Sequence, residues 1–131
     1  MLASPAMFNW RRPTNLGVKD GLLAPCRRTP NCVSSQADPA DREHYVAPLS
    51  GSMAEVLKAV QSLPRTRVVQ SHASYLYAEF RSKLLGYVDD VEFYFDGARV
   101  QVRSASRLGR RDFGVNRARV EQIRRMLTPR P

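Results

Sequence analysis

Segment 87–106 constrains the fold most, because two stretches of alternating apolar and polar residues meet there at Asp96-Gly97. Asp-Gly is a dipeptide that accepts positive φ in a tight two-residue turn. The stretches "YVDDVEFYF" and "ARVQVRSAS" therefore predict a β-hairpin. In the register that a two-residue turn imposes, Asp90 lies opposite Arg103.

Strand alternation divides the side chains of this hairpin, and of the strand predicted before it, between two faces. The buried face should carry Val91, Phe93, Phe95, Val100 and Val102, together with Leu76, Ala78 and Phe80. The opposite face, called the polar face below, should carry Asp90, Glu92, Tyr94, Arg99, Gln101, Arg103 and Arg107, together with Tyr75, Tyr77, Glu79 and Arg81.

Two helices flank the predicted strands. Ser52 and Glu55 have the spacing of a capping box, and Pro64 ends the helical pattern that follows them. A second helix is predicted from about residue 115 to residue 127, with an apolar stripe at helical spacing.

This order of elements predicts an α+β fold. We expect a three-stranded or slightly larger antiparallel meander, two helices packed on one face, and an irregular N-terminal arm punctuated by prolines. Residues 1–13 are predicted to be a flexible lead and residues 14–131 a single domain, which suits a chain of 131 residues.

The basic surplus is concentrated at the C-terminal end. The chain has 21 Lys and Arg against 12 Asp and Glu, a net charge of +9, and residues 110–131 contribute seven against two, or +5. Such a surplus is typical of proteins that bind nucleic acid or an anionic membrane, and equally of a solvated surface. We expect the arginines of the last loop and helix to be mostly exposed: Arg110, Arg111, Arg117, Arg119, Arg124 and Arg125.

The sequence favours a cytoplasmic location. It has no apolar run of about 18 residues that could span a membrane. Its N-terminus has no basic segment followed by an apolar stretch, which is the pattern of a secretory signal.

Cys26 and Cys32 flank a turn that contains Pro30, so a disulfide is predicted if the compartment is oxidising. Their spacing matches no common zinc pair, and only His44 and His72 are available as further ligands, so we predict no metal site and no cofactor. A nucleophilic Cys32 assisted by a histidine is the remaining catalytic possibility, and we expect a binding domain rather than an enzyme.

Four stretches, in this order, resemble the domain of unknown function 1499 family of bacterial and plastid proteins: "APCRRTPNCVSSQA", "YLYAEFRS", "YVDDVEFYF" and "VRSASRLGRRDFGVNRARVEQIR". The resemblance implies no particular activity. Because many members are exported or membrane-anchored, it makes a periplasmic location the alternative and agrees with a disulfide. The family's characteristic stretches fall on Cys26, Cys32, Glu79, Arg81, Asp89, Asp90, Glu92, Arg103, Ser104, Ser106, Arg107, Gly114, Asn116 and Arg117.

The leading functional hypothesis places a ligand on the polar face, where the arm crosses it. An anionic small ligand or protein segment would be bound by arginines, which carboxylates hold in place and tyrosines pack against. The predicted ligand-binding residues are Arg81, Arg103, Arg107, Asp90, Glu92, Glu79, Tyr75 and Tyr77. The alternative is electrostatic binding of nucleic acid or an anionic membrane through the basic C-terminal helix. A hydrolase or redox enzyme built on Cys32 or the acidic residues ranks third.

Overall fold

Five antiparallel strands and two helices form the fold in the computed structural model, which describes residues 11–84, 86–109 and 114–127. The elements are β1 (Cys32–Ser34), α1 (Met53–Gln61), β2 (Thr66–Ser71), β3 (Tyr75–Arg81), β4 (Val88–Phe95), β5 (Val100–Ser106) and α2 (Val115–Leu127). The order of strands in the sheet is β1-β5-β4-β3-β2. The predicted α+β fold is confirmed, with a sheet somewhat larger than three strands.

Two features account for the larger sheet. The arm supplies β1, which pairs antiparallel with β5. The segment predicted as one strand before the hairpin is divided into β2 and β3, which pair with each other. The pairing of β2 with β3 shifts between Val68 and Gln70, so β2 contains a β-bulge.

The apolar face of the sheet packs against both helices, as the alternation predicts. Strand residues of the core include Leu76, Ala78, Val91, Phe93, Val100 and Val102, and helix residues include Val56, Val60, Val120 and Ile123. The capping box of α1 is present, because Ser52 and Glu55 each accept a hydrogen bond from the other's backbone N–H. No helix in the described part of the chain combines the length and the apolar character needed to cross a lipid bilayer.

The arm contacts both faces of the sheet. Residues 11–31 cross the polar face, β1 then extends the edge of the sheet beside β5, and the following residues reach the helix side. There Val46 and Leu49 are buried in the core, and Leu49 pairs with Val100. The flexible lead predicted for residues 1–13 falls mainly on residues 1–10, which lie outside the described residues.

The turn between β4 and β5 differs from the predicted two-residue turn. Asp96 Oδ1 accepts hydrogen bonds from the backbone N–H groups of Ala98 and Arg99, at 2.8 and 2.9 Å. These two bonds are the largest cause of the low pKa of Asp96, which is about 2. The turn that they close consists of four residues, 96–99. Phe95 therefore pairs with Val100, and the prediction that Asp90 lies opposite Arg103 is wrong.

The register error leaves the two faces unchanged. Glu92 lies opposite Arg103, whereas Asp90 lies opposite Ala105. Because side chains alternate with a period of two, a shift of two residues keeps every side chain on its predicted face.

Substitution of Gly97 tests the turn. Gly97 has a φ of +100°, and a Cβ atom there would have nothing within 4 Å, so the cost of a larger residue is conformational. We expect Gly97→Val to lower the free energy of unfolding by about 1 kcal/mol or more in urea titrations. Ala98→Val, at the next exposed position, is the matched control. Equal losses in the two variants would contradict this explanation.

Candidate functional site

Arg107 is the centre of a buried ionic network on the polar face. Its Nε and Nη2 atoms contact the two carboxylate oxygens of Asp90 at 2.8 and 2.9 Å, and Nη2 also lies 2.7 Å from Glu79. Arg12 of the arm contacts the same Glu79 oxygen at 2.7 Å. The Tyr77 hydroxyl lies within hydrogen-bond distance of both carboxylates, which share its single proton.

The electrostatics of this network favour its charged forms. Burial alone would raise the pKa of Glu79, but Arg12 and Arg107 hold it below its ordinary value. Burial likewise opposes the charge on Arg107, but its bonds to Asp90 raise its pKa. Each buried charge therefore has a close partner of opposite sign.

Glu92 and Arg103 form a second, much looser pair on the same face. Arg103 Nη1 lies 3.9 Å from Glu92 Oε1, beyond hydrogen-bond distance, and both Glu92 Oε1 and Arg103 Nε lack a hydrogen-bond partner among the described residues. The other Glu92 oxygen accepts hydrogen bonds from Tyr75 Oη and from the backbone N–H of Gly17, at 2.5 and 2.6 Å.

Both members of this pair are shifted towards their neutral forms. Burial raises the pKa of the Glu92 carboxyl and lowers the pKa of the Arg103 guanidinium. A separation of 3.9 Å therefore does not offset the cost of removing both charges from water.

Arg103 lines an open cleft of about 580 Å³ between the arm and β5. Pro13, Asn15 and Arg27 of the arm form one side, and Arg103, Arg107 and Leu108 are on the other. Of the described residues that line it, three are arginines and Asp90 is the single acid, so the formal charge of the lining is 3 − 1 = +2.

Arg27 increases the positive character of this cleft. Its side chain is exposed and makes no ion pair with any described residue. Burial is the main cause that lowers the pKa of Arg103, and the positive charge of Arg27 lowers it further. The two guanidinium groups thus repel each other across the cleft, and an anion between them would remove that repulsion.

A further polar cluster joins α2 to the sheet on the helix side. Arg119 contacts Asp89 at 2.8 Å and stacks over the ring of Phe80 at 4.7 Å. Asn116 accepts a hydrogen bond from Ser104 and donates to Ser106, at 2.6 and 2.9 Å. This cluster is closed by bonds within the protein, so it fixes the position of α2.

A family model described as "Protein of unknown function (DUF1499)" matches residues 22–127. The chain belongs to the DUF1499 family. The searches of curated proteins and of solved structures found no match.

Nine of the fourteen positions named above from the DUF1499-like stretches divide between the two clusters. Glu79, Asp90, Glu92, Arg103 and Arg107 lie on the polar face, whereas Asp89, Ser104, Ser106 and Asn116 lie on the helix side. Alternation along β4 and β5 produces this division. These nine positions therefore belong to two polar clusters, one on the polar face and one, called the helix anchor below, that joins α2 to the sheet.

The disulfide predicted between Cys26 and Cys32 is confirmed, with their Cα atoms 5.6 Å apart. It joins the part of the arm that crosses the polar face to β1, and Cys32 lines the cleft. The bond removes the free thiol that a Cys32 nucleophile requires. Among the described residues, no three His, Cys, Asp or Glu side chains are grouped so as to bind a metal ion.

The structure brings together all but one of the predicted ligand-binding residues. Arg81 is the exception, because it lies exposed at the end of β3 with its guanidinium 3.5 Å from the carbonyl oxygen of Gly86. The expectation that Arg81 sits among the carboxylates is therefore wrong. Tyr75 and Tyr77 bind carboxylates directly, and burial followed by those bonds raises the pKa of both phenols.

The arginines of α2 are less exposed than predicted. Arg117 donates to the carbonyl oxygens of Tyr45 and Arg42, and Arg124 donates to those of Pro48 and Ala47. Arg119 is in the helix anchor, and Arg125 is exposed. The prediction is thus wrong for three of the four helix arginines, which bind backbone or side-chain acceptors. Arg110 and Arg111 lie outside the described residues.

Sequence reasoning missed the residues that the arm brings to the polar face. Arg12 and Arg27 reach it from segments without periodicity, and Gly17 and Pro25 contribute backbone groups. Nothing in the local sequence indicates these contacts, because they join positions far apart in the chain.

His44 connects the part of the arm that follows the disulfide to the loop between the two cysteines. Its Nδ1 atom lies 2.8 Å from Asp41 Oδ2, and its Nε2 atom lies 2.8 Å from the carbonyl oxygen of Thr29 and 3.4 Å from Glu43 Oε1. Because both ring nitrogens face acceptors, the doubly protonated imidazolium is favoured. Burial opposes this charge, but the bonds to Thr29 and Asp41 raise the pKa of His44 overall.

Methionine substitutions distinguish the two arginines of the polar face. We expect Arg107→Met to cost about 3 kcal/mol or more, because it leaves Asp90 and Glu79 buried without their main partner. Arg103→Met should change stability by less than about 1 kcal/mol, because methionine keeps the apolar packing and Glu92 can take up a proton. Urea titrations measure both, with Arg99→Met as the surface control. A loss for Arg103→Met as large as that for Arg107→Met would refute the difference in pairing.

The raised pKa of His44 predicts a pH dependence of stability. The contribution of His44 should be complete below its ordinary pKa of 6.5 and should be lost as the pH rises through its raised folded-state pKa. Urea unfolding of the wild type and His44→Gln across this range isolates the effect. The stability difference should shrink with rising pH. A stability difference for His44→Gln that stays constant with pH would contradict a raised pKa at His44.

Proposed function

We propose that this protein is a non-enzymatic domain that binds a small carboxylate- or phosphate-bearing ligand in the cleft between the arm and β5. The observation that carries the proposal is Arg103, whose side chain is 7% exposed and lines the cleft while its Nε has no hydrogen-bond partner among the described residues. An unpaired buried donor is costly, and an oxyanion that binds a guanidinium bidentately would satisfy it.

The neighbours of Arg103 are consistent with an anionic ligand. Arg27 adds a second guanidinium that makes no ion pair with any described residue, and burial raises the pKa of the Glu92 carboxyl, which disfavours its charged form. Asp90 is engaged by Arg107, which limits its repulsion of an anion. A volume of about 580 Å³ lies within the range of small-molecule sites.

The arm favours a small ligand over a protein segment. It already occupies much of the polar face through Arg12, Gly17 and Pro25, so the open part is limited to one end of β5. The same contacts favour binding over catalysis. The carboxylates are tied to arginines or tyrosines and the tyrosines to carboxylates, which leaves little freedom for proton transfer.

Thermal unfolding in graded concentrations of inorganic phosphate, citrate and acetate tests this proposal. A bound anion should raise the melting temperature with a saturable dependence on concentration. Arg103→Met should abolish the saturable part and Arg27→Gln should weaken it, whereas Arg99→Gln should leave it unchanged. Phosphate and citrate also stabilise proteins without binding. An equal rise in all four proteins would show only that general effect and would refute the site.

A further inference from the structure

A second basic surface lies where the turn after α1, the end of β3 and the outer side of α2 meet. It is separate from the cleft between the arm and β5, which is called the first cleft below. They enclose a cleft of about 440 Å³. Four arginines line it, Arg65, Arg81, Arg119 and Arg125, and no acid is among its described lining residues. Leu63, Pro64 and Phe80 also line it. The cleft is therefore lined by both apolar and cationic side chains.

Hydrogen bonds to backbone groups hold two of these arginines next to each other. The backbone N–H of Arg81 donates to the carbonyl oxygen of Arg65 at 2.9 Å, and Arg65 Nε donates to the carbonyl oxygen of Arg81 at 3.3 Å. Arg65 has a φ of +55°, which is uncommon for a residue with a side chain. Strain of this kind persists where the surroundings impose it, and it is frequent at functional sites.

Three cations of this cleft remain available to a partner. Arg119 is committed to Asp89 at 2.8 Å. Arg65, Arg81 and Arg125 make no ion pair with any of the residues that the structure describes, and all three are exposed. Such a group of unpaired guanidinium groups attracts phosphate.

The turn between β3 and β4 adds an apolar tip beside these cations. Arg81 Nη1 lies 3.5 Å from the carbonyl oxygen of Gly86, which joins the cleft to the turn. Lys83 in the turn is exposed, and Leu84 is 90% exposed, the highest value among the large hydrophobic residues that the structure describes. We call Arg65, Arg81, Lys83, Leu84 and Arg125 together the basic edge.

We propose that the basic edge docks onto an anionic lipid membrane, with its four cations against the phosphate headgroups and Leu84 inserted between them. Charge complementarity supplies most of the attraction, at about fivefold in affinity per cation near the lipid surface. A leucine presented to water beside cations gains by entering the interface. Nucleic acid fits less well, because Phe80, the one aromatic residue among the described residues that line this cleft, is buried and offers no exposed stacking surface.

Vesicle flotation tests this proposal with the full chain. The protein should float with vesicles of phosphatidylcholine mixed with phosphatidylglycerol, should not float with phosphatidylcholine alone, and should be released by high salt. Arg81→Gln should weaken binding about fivefold. Leu84→Ser should weaken it severalfold while leaving the salt sensitivity unchanged. Both side chains are exposed, so both variants should keep the wild-type urea midpoint.

Arg99→Gln is the matched control, because Arg99 is an exposed arginine in the turn at the opposite end of β4. It should bind vesicles like the wild type, and so should Arg103→Met, since the first cleft is a separate site. A loss for Arg99→Gln equal to that for Arg81→Gln would show attraction by net charge alone and would overturn the proposal. It would also be overturned if Leu84→Ser bound normally while Arg81→Gln lost affinity for a single-stranded oligonucleotide, which would assign the cations to nucleic acid.

Discussion

The contact of Arg107 with Asp90 and Glu79 is the interaction on which the covered polar face depends. One guanidinium at the end of β5 binds carboxylates of both β4 and β3, so it ties three neighbouring strands through their side chains. Buried charges destabilise a fold unless each has a close partner. Because Arg107 supplies that partner, the arm can cover these carboxylates, and Arg12 then adds a second contact to Glu79.

Arg103, four residues earlier and within β5, shows the opposite balance. Its nearest carboxylate oxygen is 3.9 Å away, and its Nε is unpaired within the described part of the chain. Within one face, one arginine thus has the pairing expected of a structural residue, and the other has the unsatisfied donor expected of a binding residue. Local departures from complete polar satisfaction are expected at functional sites.

Alternation along the strands made the two faces and most of the polar cluster predictable from the sequence. The assignment of side chains to faces was correct although the predicted register was wrong. The Asp96 side chain lengthened the turn by two residues, and a shift of two keeps every residue on its face. Arg81 was wrongly predicted to lie among the carboxylates. Alternation specifies the face on which a side chain lies, but not whether the arm covers the end of the strand. The roles of Arg117 and Arg124 depend on carbonyl groups of the arm, more than 70 positions away, and no local pattern encodes such a pairing.

The bulge in β2 affects whether the sheet can pair with a strand of another molecule. One edge of the sheet is β1, a strand of only three residues whose first residue, Cys32, is in the disulfide. The other is β2, whose bulge between Val68 and Gln70 interrupts the regular ladder on a strand that also carries the exposed Arg67. Short, bulged and charged edges are poor templates for a further strand. The sheet is thereby protected from edge-to-edge aggregation.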